Sequence, residues 1–109
     1  MLIFNTTYYV PDDIKQAFLQ WLRDECFSRL ERNPMVKQPR VLRMMGLNTD
    51  EQTGIAVQFG VETLADLRTW RKEQGAELSK RLAERFSGQI ESFSTMMEVV
   101  EMRQGGNGL

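Results

Sequence analysis

Six side chains in this chain of 109 residues have the types and positions to orient a small polar molecule: Asn5, Thr7, Tyr9, Arg43, Gln58 and Glu98. Alternate residues of a strand project from one face, so Asn5, Thr7 and Tyr9 can act together. Amides and hydroxyls in such a row could hold a polar or quinone-like ligand, with Tyr9 as a proton donor. The same groups could instead pair with one another across a dimer, Arg43 with Glu98, because buried polar groups generally satisfy each other. Both readings stand at the level of sequence.

The chain has no histidine. This excludes Ser-His-Asp and Cys-His catalysis and His-ligated zinc. Cys26, the single cysteine, has no imidazole to activate it and reads as a half-buried structural thiol beside Phe27. Met44-Met45 and Met96-Met97 suggest a soft metal site at first sight. Neighbouring strand residues point to opposite faces, however, so neither pair can chelate one ion, and packing is the better reading. The expectation is no catalytic residue, no metal and no cofactor. Arg29, Arg32, Lys37, Arg40 and Arg43 form a basic run opposed only by Glu31. No aromatic lies between Leu30 and Arg43 to stack a base, and the formal net charge is −1, so no nucleic-acid partner is expected. No phosphate-binding glycine loop or EF-hand loop is present.

The elements that would position these residues follow from periodicity. Leu2–Val10, rich in β-branched and aromatic residues, predicts a strand with Leu2, Phe4, Thr6, Tyr8 and Val10 on one face. Pro11-Asp12-Asp13 turns the chain and offers an Asp cap to a helix. Ile14, Ala17, Phe18, Trp21, Leu22 and Leu30 recur at helical spacing up to Asn33-Pro34, where proline stops the run. Arg40–Leu47 predicts a second strand, with Val41, Arg43, Met45 and Leu47 on one side. A polar loop over Asn48–Gly54 leads to the strand that organises the chain. In Gly54–Glu62, Ile55, Val57, Phe59 and Val61 make a greasy face, opposed by Ala56, Gln58 and Gly60. Thr63 with Asp66 is a capping-box variant opening a second helix. Its stripe of Leu64, Leu67, Trp70, Leu78, Leu82 and Phe86 is interrupted by Gly75 and ends at Ser87-Gly88. Ile90–Met102 predicts a last strand, and Arg103–Leu109 a flexible tail beyond a single domain spanning residues 1–102.

Strand, helix, strand, strand, helix, strand with right-handed crossovers predicts a ferredoxin-like α+β plait: a four-stranded antiparallel sheet with both helices on one face. Asn5, Thr7 and Gln58 then meet mid-sheet on the uncovered face, expected to include Ile3, Tyr9, Val41, Met45 and Val100. So apolar a face is expected to be an interface, and two copies packed face to face would bury it as a homodimer.

Leu2-Ile3-Phe4-Asn5-Thr6-Thr7, Ala56-Val57-Gln58-Phe59 and Ser94-Thr95-Met96-Met97-Glu98-Val99-Val100 resemble a bacterial domain-of-unknown-function family of about 100 residues. That family is similar to the dimeric α/β-barrel superfamily, which includes cofactor-independent monooxygenases, haem-handling enzymes, stress-response proteins and ligand-binding regulatory domains. The resemblance implies a shared scaffold rather than a shared activity. Without histidine, the chain departs from the proximal-His haem site and His–Asp pairs of some of those relatives.

At 41% hydrophobic and 27% charged residues the composition is ordinarily globular. The opening Met1–Asn5 has no basic region, so no signal peptide is expected, and no apolar run approaches the roughly 20 residues that span a bilayer. A cytoplasmic protein without a membrane partner is the expectation. For function, two readings follow. One is a homodimeric ligand-binding or protein-interaction module without catalytic machinery. The other is a cofactor-independent monooxygenase-like enzyme acting on a small organic substrate in the barrel cavity.

Overall fold

A computed structural model describes residues 1–46 and 51–103. Four strands form one antiparallel sheet in the order β2-β3-β1-β4: β1 Leu2–Pro11, β2 Lys37–Arg43, β3 Gln52–Val61 and β4 Glu91–Glu98. The first helix runs over residues 12–32 and the second over residues 64–86. The expected ferredoxin-like plait is observed. Residues 47–50 of the loop and 104–109 of the tail lie outside the described residues.

The greasy face of β3 is core as expected: Ile55, Val57, Phe59 and Val61 are all buried. Phe4 and Val10 of β1 join it, with Phe18, Trp21 and Leu30 from the first helix and Leu67, Trp70, Leu78 and Phe86 from the second. Two aromatic groups organise this layer. Phe18 stands against Tyr8 at 5.2 Å and Phe86 at 6.0 Å between ring centres. Trp70 stands edge-on to Phe59 at 4.7 Å and tilted to Phe4 at 5.8 Å. Such tilted pairs suit the ring quadrupoles.

Both helices carry one wide π turn, Leu22–Phe27 in the first and Arg71–Gly75 in the second. The stripe explains it. Leu22 to Leu30 and Trp70 to Leu78 are steps of eight residues, which in an α-helix leave the two side chains about 80° apart. A π turn absorbs one residue and brings them back to within about 20°. In the second helix the cost of Gly75 is also explained. A Cβ at Gly75 would lie 2.9 Å from Trp70 Cζ3, so the ring occupies the space a side chain would need. Gly75→Ala is therefore expected to lower the melting temperature. Alanine is favoured in a helix by about 1 kcal/mol, but overpacking a ring held between Phe4 and Phe59 costs about 1–3 kcal/mol. A higher melting temperature in calorimetry would show that the ring yields.

The ends of the elements differ from expectation where pairing, not composition, decides. The Asp cap of the first helix is absent: Asp12–Ile14 form a 3₁₀ turn, and Asp12 Oδ1 accepts from Thr53 Oγ1 at 3.1 Å instead. The Thr63 cap is present, accepting from Asp66 N at 3.1 Å, and Ser87 and Gly88 end the second helix with φ of +52° and +71°. Strand β2 starts three residues early, at Lys37, across a bulge in which Gln38 has φ +48°, and Pro39 is tolerated because this is an edge strand. It ends at Arg43, short of Leu47. Strand β4 stops at Glu98 because its partner β1 runs out at Leu2; the last rung is Val99 N donating to Met1 O at 2.9 Å. The Glu77–Arg81 pair is present, and Arg81 also donates to Glu25 at 3.0 Å, tying the two helices together.

Cys26 is buried, and burial pushes its thiol up to about 11, against a smaller opposing pull from Arg29. Burial, then Cys26, also holds the Tyr8 phenol above its ordinary range. The folded protein thus keeps the thiol proton at pH values where an unfolded chain, with a thiol near 8.5, has lost it. The native state binds more protons there, so stability falls as pH rises from about 8.5 toward 11. Urea midpoints across that range should drop, with a shallower slope in Cys26→Ala; an unchanged slope would assign the loss to other groups.

Candidate functional site

Pairing register settles which side chains share the bare face. Asn5 lies opposite Gln58 on one side and Thr95 on the other, and Gln58 lies opposite Arg40. Arg40, Gln58, Asn5 and Thr95 therefore form one polar row across all four strands. The rows beside it are more apolar. Leu42, Ala56, Thr7 and Phe93 make one; Gly60, Ile3 and Met97 make another. Tyr9 stands opposite Gly54 and Glu91, its ring 6.0 Å from Phe93.

Asn5, Thr7, Tyr9 and Gln58 are thus brought together as the sequence suggests, but Arg43 and Glu98 are not. Arg43 pairs with Ile55 and Glu98 with Leu2, both residues of the helix side. They also sit on the two outer strands, about 14 Å apart across the sheet at ordinary strand spacing and about 20 Å apart along it, since the row of Arg43 meets β4 at Ser92, six residues from Glu98. Val41, opposite Val57, likewise leaves the bare face, and its place and that of Arg43 are taken by Arg40 and Leu42. Val100 lies beyond the end of β4 and Met45 beyond the end of β2. A shift of one residue exchanges the two faces of a strand, which is the whole of the difference.

In the polar row Asn5 is only 8% exposed, and Thr7 in the row beside it 3%. Asn5 Nδ2 donates to Thr7 Oγ1 at 3.0 Å, while Asn5 Oδ1 is buried with no partner among the described residues. An unpaired buried acceptor costs roughly 1–3 kcal/mol. Around it Phe93 is 50% exposed, with Met97 and Leu42 near 40%. An interface is the arrangement that would relieve both features.

A second feature lies on the other side of the sheet. The second helix does not reach over β4, every residue of which is exposed. This leaves a cleft of about 380 Å3 between that helix and strands β1 and β4. Phe4, Trp70 and Phe86 give it aromatic walls, Thr6 and Ser94 a hydroxyl pair 2.9 Å apart, and Arg71 a guanidinium. Arg71 and Gly75 belong to the π turn, a distortion often found where helices line sites. The Trp70 indole Nε1 is buried without a partner among the described residues. Among the described residues no Asp, Glu or Cys lines the cleft. Sequence reasoning took Trp70 for core alone and gave the cleft no role. The available signal is the hydroxyl of Thr6, whose parity with Phe4 in β1 assigns it to the helix-covered face; Ser92 and Ser94 join it only through the β1–β4 register.

Among the described residues no cluster of three or more His, Cys, Asp or Glu could hold a metal ion, and no helix is long and apolar enough to cross a membrane.

This combination defines a ferredoxin-like chain with one bare sheet face and one cleft under its second helix. The chain belongs to the family described as "Domain of unknown function (DUF4286)", whose model matches residues 1–100. Among solved structures it is similar to a putative antibiotic biosynthesis monooxygenase from Deinococcus radiodurans, with TM-score 0.75, 11% identity, and coverage of 95% of this chain and 97% of that one. It is also similar to a dimeric ferredoxin-like protein from an uncultured marine organism, with TM-score 0.69, 10% identity, and coverage of 94% and 97%. A variant of MhuD with two manganese protoporphyrin IX molecules bound per active site gives TM-score 0.70 at 14% identity, covering 96% of this chain and all of that one. At these identities the likeness is one of fold. No match is found among curated proteins.

Proposed function

We propose that the protein is a homodimer joined through its bare sheet faces, each protomer holding a small organic molecule in the cleft beneath its second helix, without transforming it. The cleft carries this reading. Its volume of about 380 Å3 falls in the range of ligand pockets, and its lining combines aromatic walls with a few convergent polar groups. The bare face, with its partnerless Asn5 acceptor and exposed Phe93 and Met97, supports the dimer, as does the likeness to a protein described as dimeric. Residues 1–102 would then act as one unit.

The second reading, a cofactor-independent monooxygenase-like enzyme, draws support from the fold shared with the putative monooxygenase. It would act in this cleft rather than between the sheets. It needs a group to take a proton from the substrate. Among the described residues the cleft is lined by no carboxylate, imidazole or thiol, and burial favours the protonated form of the Tyr8 phenol, so binding is favoured over catalysis. A haem fits poorly for a related reason. The chain lacks histidine, and the described lining of the cleft offers no thiolate or thioether to hold haem iron.

Titration calorimetry with naphthoate and naphthalenemethanol tests the cleft. At least one should bind, and Ala83→Trp, which fills the cleft from an exposed helix position, should abolish binding while the dimer persists. Undiminished binding to Ala83→Trp, or no binding to the unaltered protein, would overturn the reading.

A further inference from the structure

We infer that the cleft selects flat aromatic molecules bearing a negative charge, with the Arg71 guanidinium as the group that recognises it; this rests on the cleft being the ligand site. Among the described residues Arg71 is the sole charged one of the lining, and no acidic side chain opposes it there. Its guanidinium lies 5.4 Å from the centre of the Phe4 ring, so it is steered over the cleft by a cation–π contact. Two other helix arginines are paired, Arg81 with Glu25 and Glu77 and Arg29 at 3.7 Å from Glu25; Arg85, 4.8 Å over the Phe86 ring, has no ion pair among the described residues but does not line the cleft. Arg71 has no ion pair among the described residues. A guanidinium held by an aromatic face but lacking a carboxylate is the partner a bound carboxylate would complete, through two parallel N–H···O bonds.

The rest of the lining sets the shape. Phe4, Trp70 and Phe86 offer ring faces and edges, and Gly75 leaves the Trp70 ring uncovered by any side chain of its own. The Thr6–Ser94 hydroxyl pair consumes one hydrogen between its members and leaves the other free to donate. A planar ring with a carboxylate on its rim, and a polar substituent to meet those hydroxyls, matches these positions. A cationic ligand finds no counter-charge.

The test is calorimetric titration of the full chain with three probes of one ring system: naphthoate, naphthalenemethanol and naphthylmethylammonium. Naphthoate should bind about tenfold or more tightly than the alcohol, the size of one charge-assisted contact, and the ammonium compound most weakly. Arg71→Gln, an exposed position that leaves the core intact, should erase the preference, bringing naphthoate's affinity to about that of the alcohol. Arg71→Lys should restore part of it. Equal affinity for alcohol and carboxylate, or a preference that survives Arg71→Gln, would overturn charge selection while leaving the cleft as a ligand site. Binding of none of the three would remove the ligand site and this inference together.

Discussion

Phe18→Ala should reduce the unfolding free energy by about 3–5 kcal/mol, the range for emptying a fully buried phenylalanine site. Phe18 is 0% exposed and is the ring on which three others converge: Tyr8 from β1, Trp21 from its own helix and Phe86 from the second helix. Its neighbours cannot collapse into the space without breaking register, since Tyr8 is fixed by the β1–β3 ladder and Phe86 by the αL turn that follows it. Domains of this kind are stable by only about 5–15 kcal/mol in total. Urea denaturation at neutral pH should therefore show a midpoint reduced by about a fifth or more at an unchanged slope. A loss below about 1 kcal/mol would mean that the two helices are held independently of this ring cluster.

Phe93→Glu combined with Met97→Glu should convert the proposed dimer to monomer. Both residues lie on the bare face of β4, in rows that flank the polar one, and both are substantially exposed within one chain. Their replacement leaves the core untouched, so the fold should persist. Across a two-fold junction the new carboxylates would be desolvated beside their symmetry mates. On an outer strand each such apolar contact is worth about 1 kcal/mol, so losing both should raise the dimer dissociation constant about thirtyfold. Sedimentation should find the unaltered chain at twice its 12.7 kDa and the double variant at 12.7 kDa. A monomer before substitution, or a dimer after it, would exclude the bare face as the junction.

The same two strands mark the limit of what the sequence conveys. The alternation of Ile55, Val57, Phe59 and Val61 against Ala56, Gln58 and Gly60 is one-sided, so the core face of β3 is legible and with it the central pairing of Asn5 and Gln58. Thr63 and Ser87-Gly88 are legible because a cap depends on local chemistry. In β2, by contrast, Val41 and Leu42 put an apolar residue on either face, and in β4 Met96 and Met97 do the same. Period-two reasoning cannot choose between such faces; the ladder to β3 and β1 does, and it removes Arg43 and Glu98 from the bare face. The cleft is less legible still. It exists because the second helix stops short of β4, a matter of packing angle, and because the eight-residue step from Trp70 to Leu78 demands the π turn that carries Arg71 and Gly75. Arg71, one position past a core tryptophan, has no mark in the sequence that separates it from any solvent arginine.

Amide chemical-shift mapping of the full chain with naphthoate addresses the cleft most directly. Shifts are expected along both walls, at Ser79 and Ala83 on the second helix and at Ser92 and Ser94 on β4, with Asn5, Thr7 and Gln58 unmoved beyond what dimer breathing produces. Shifts centred on Asn5, Thr7 and Gln58, with the second helix silent, would place the ligand on the bare sheet face and contradict the assignment of that face to a second copy of the chain.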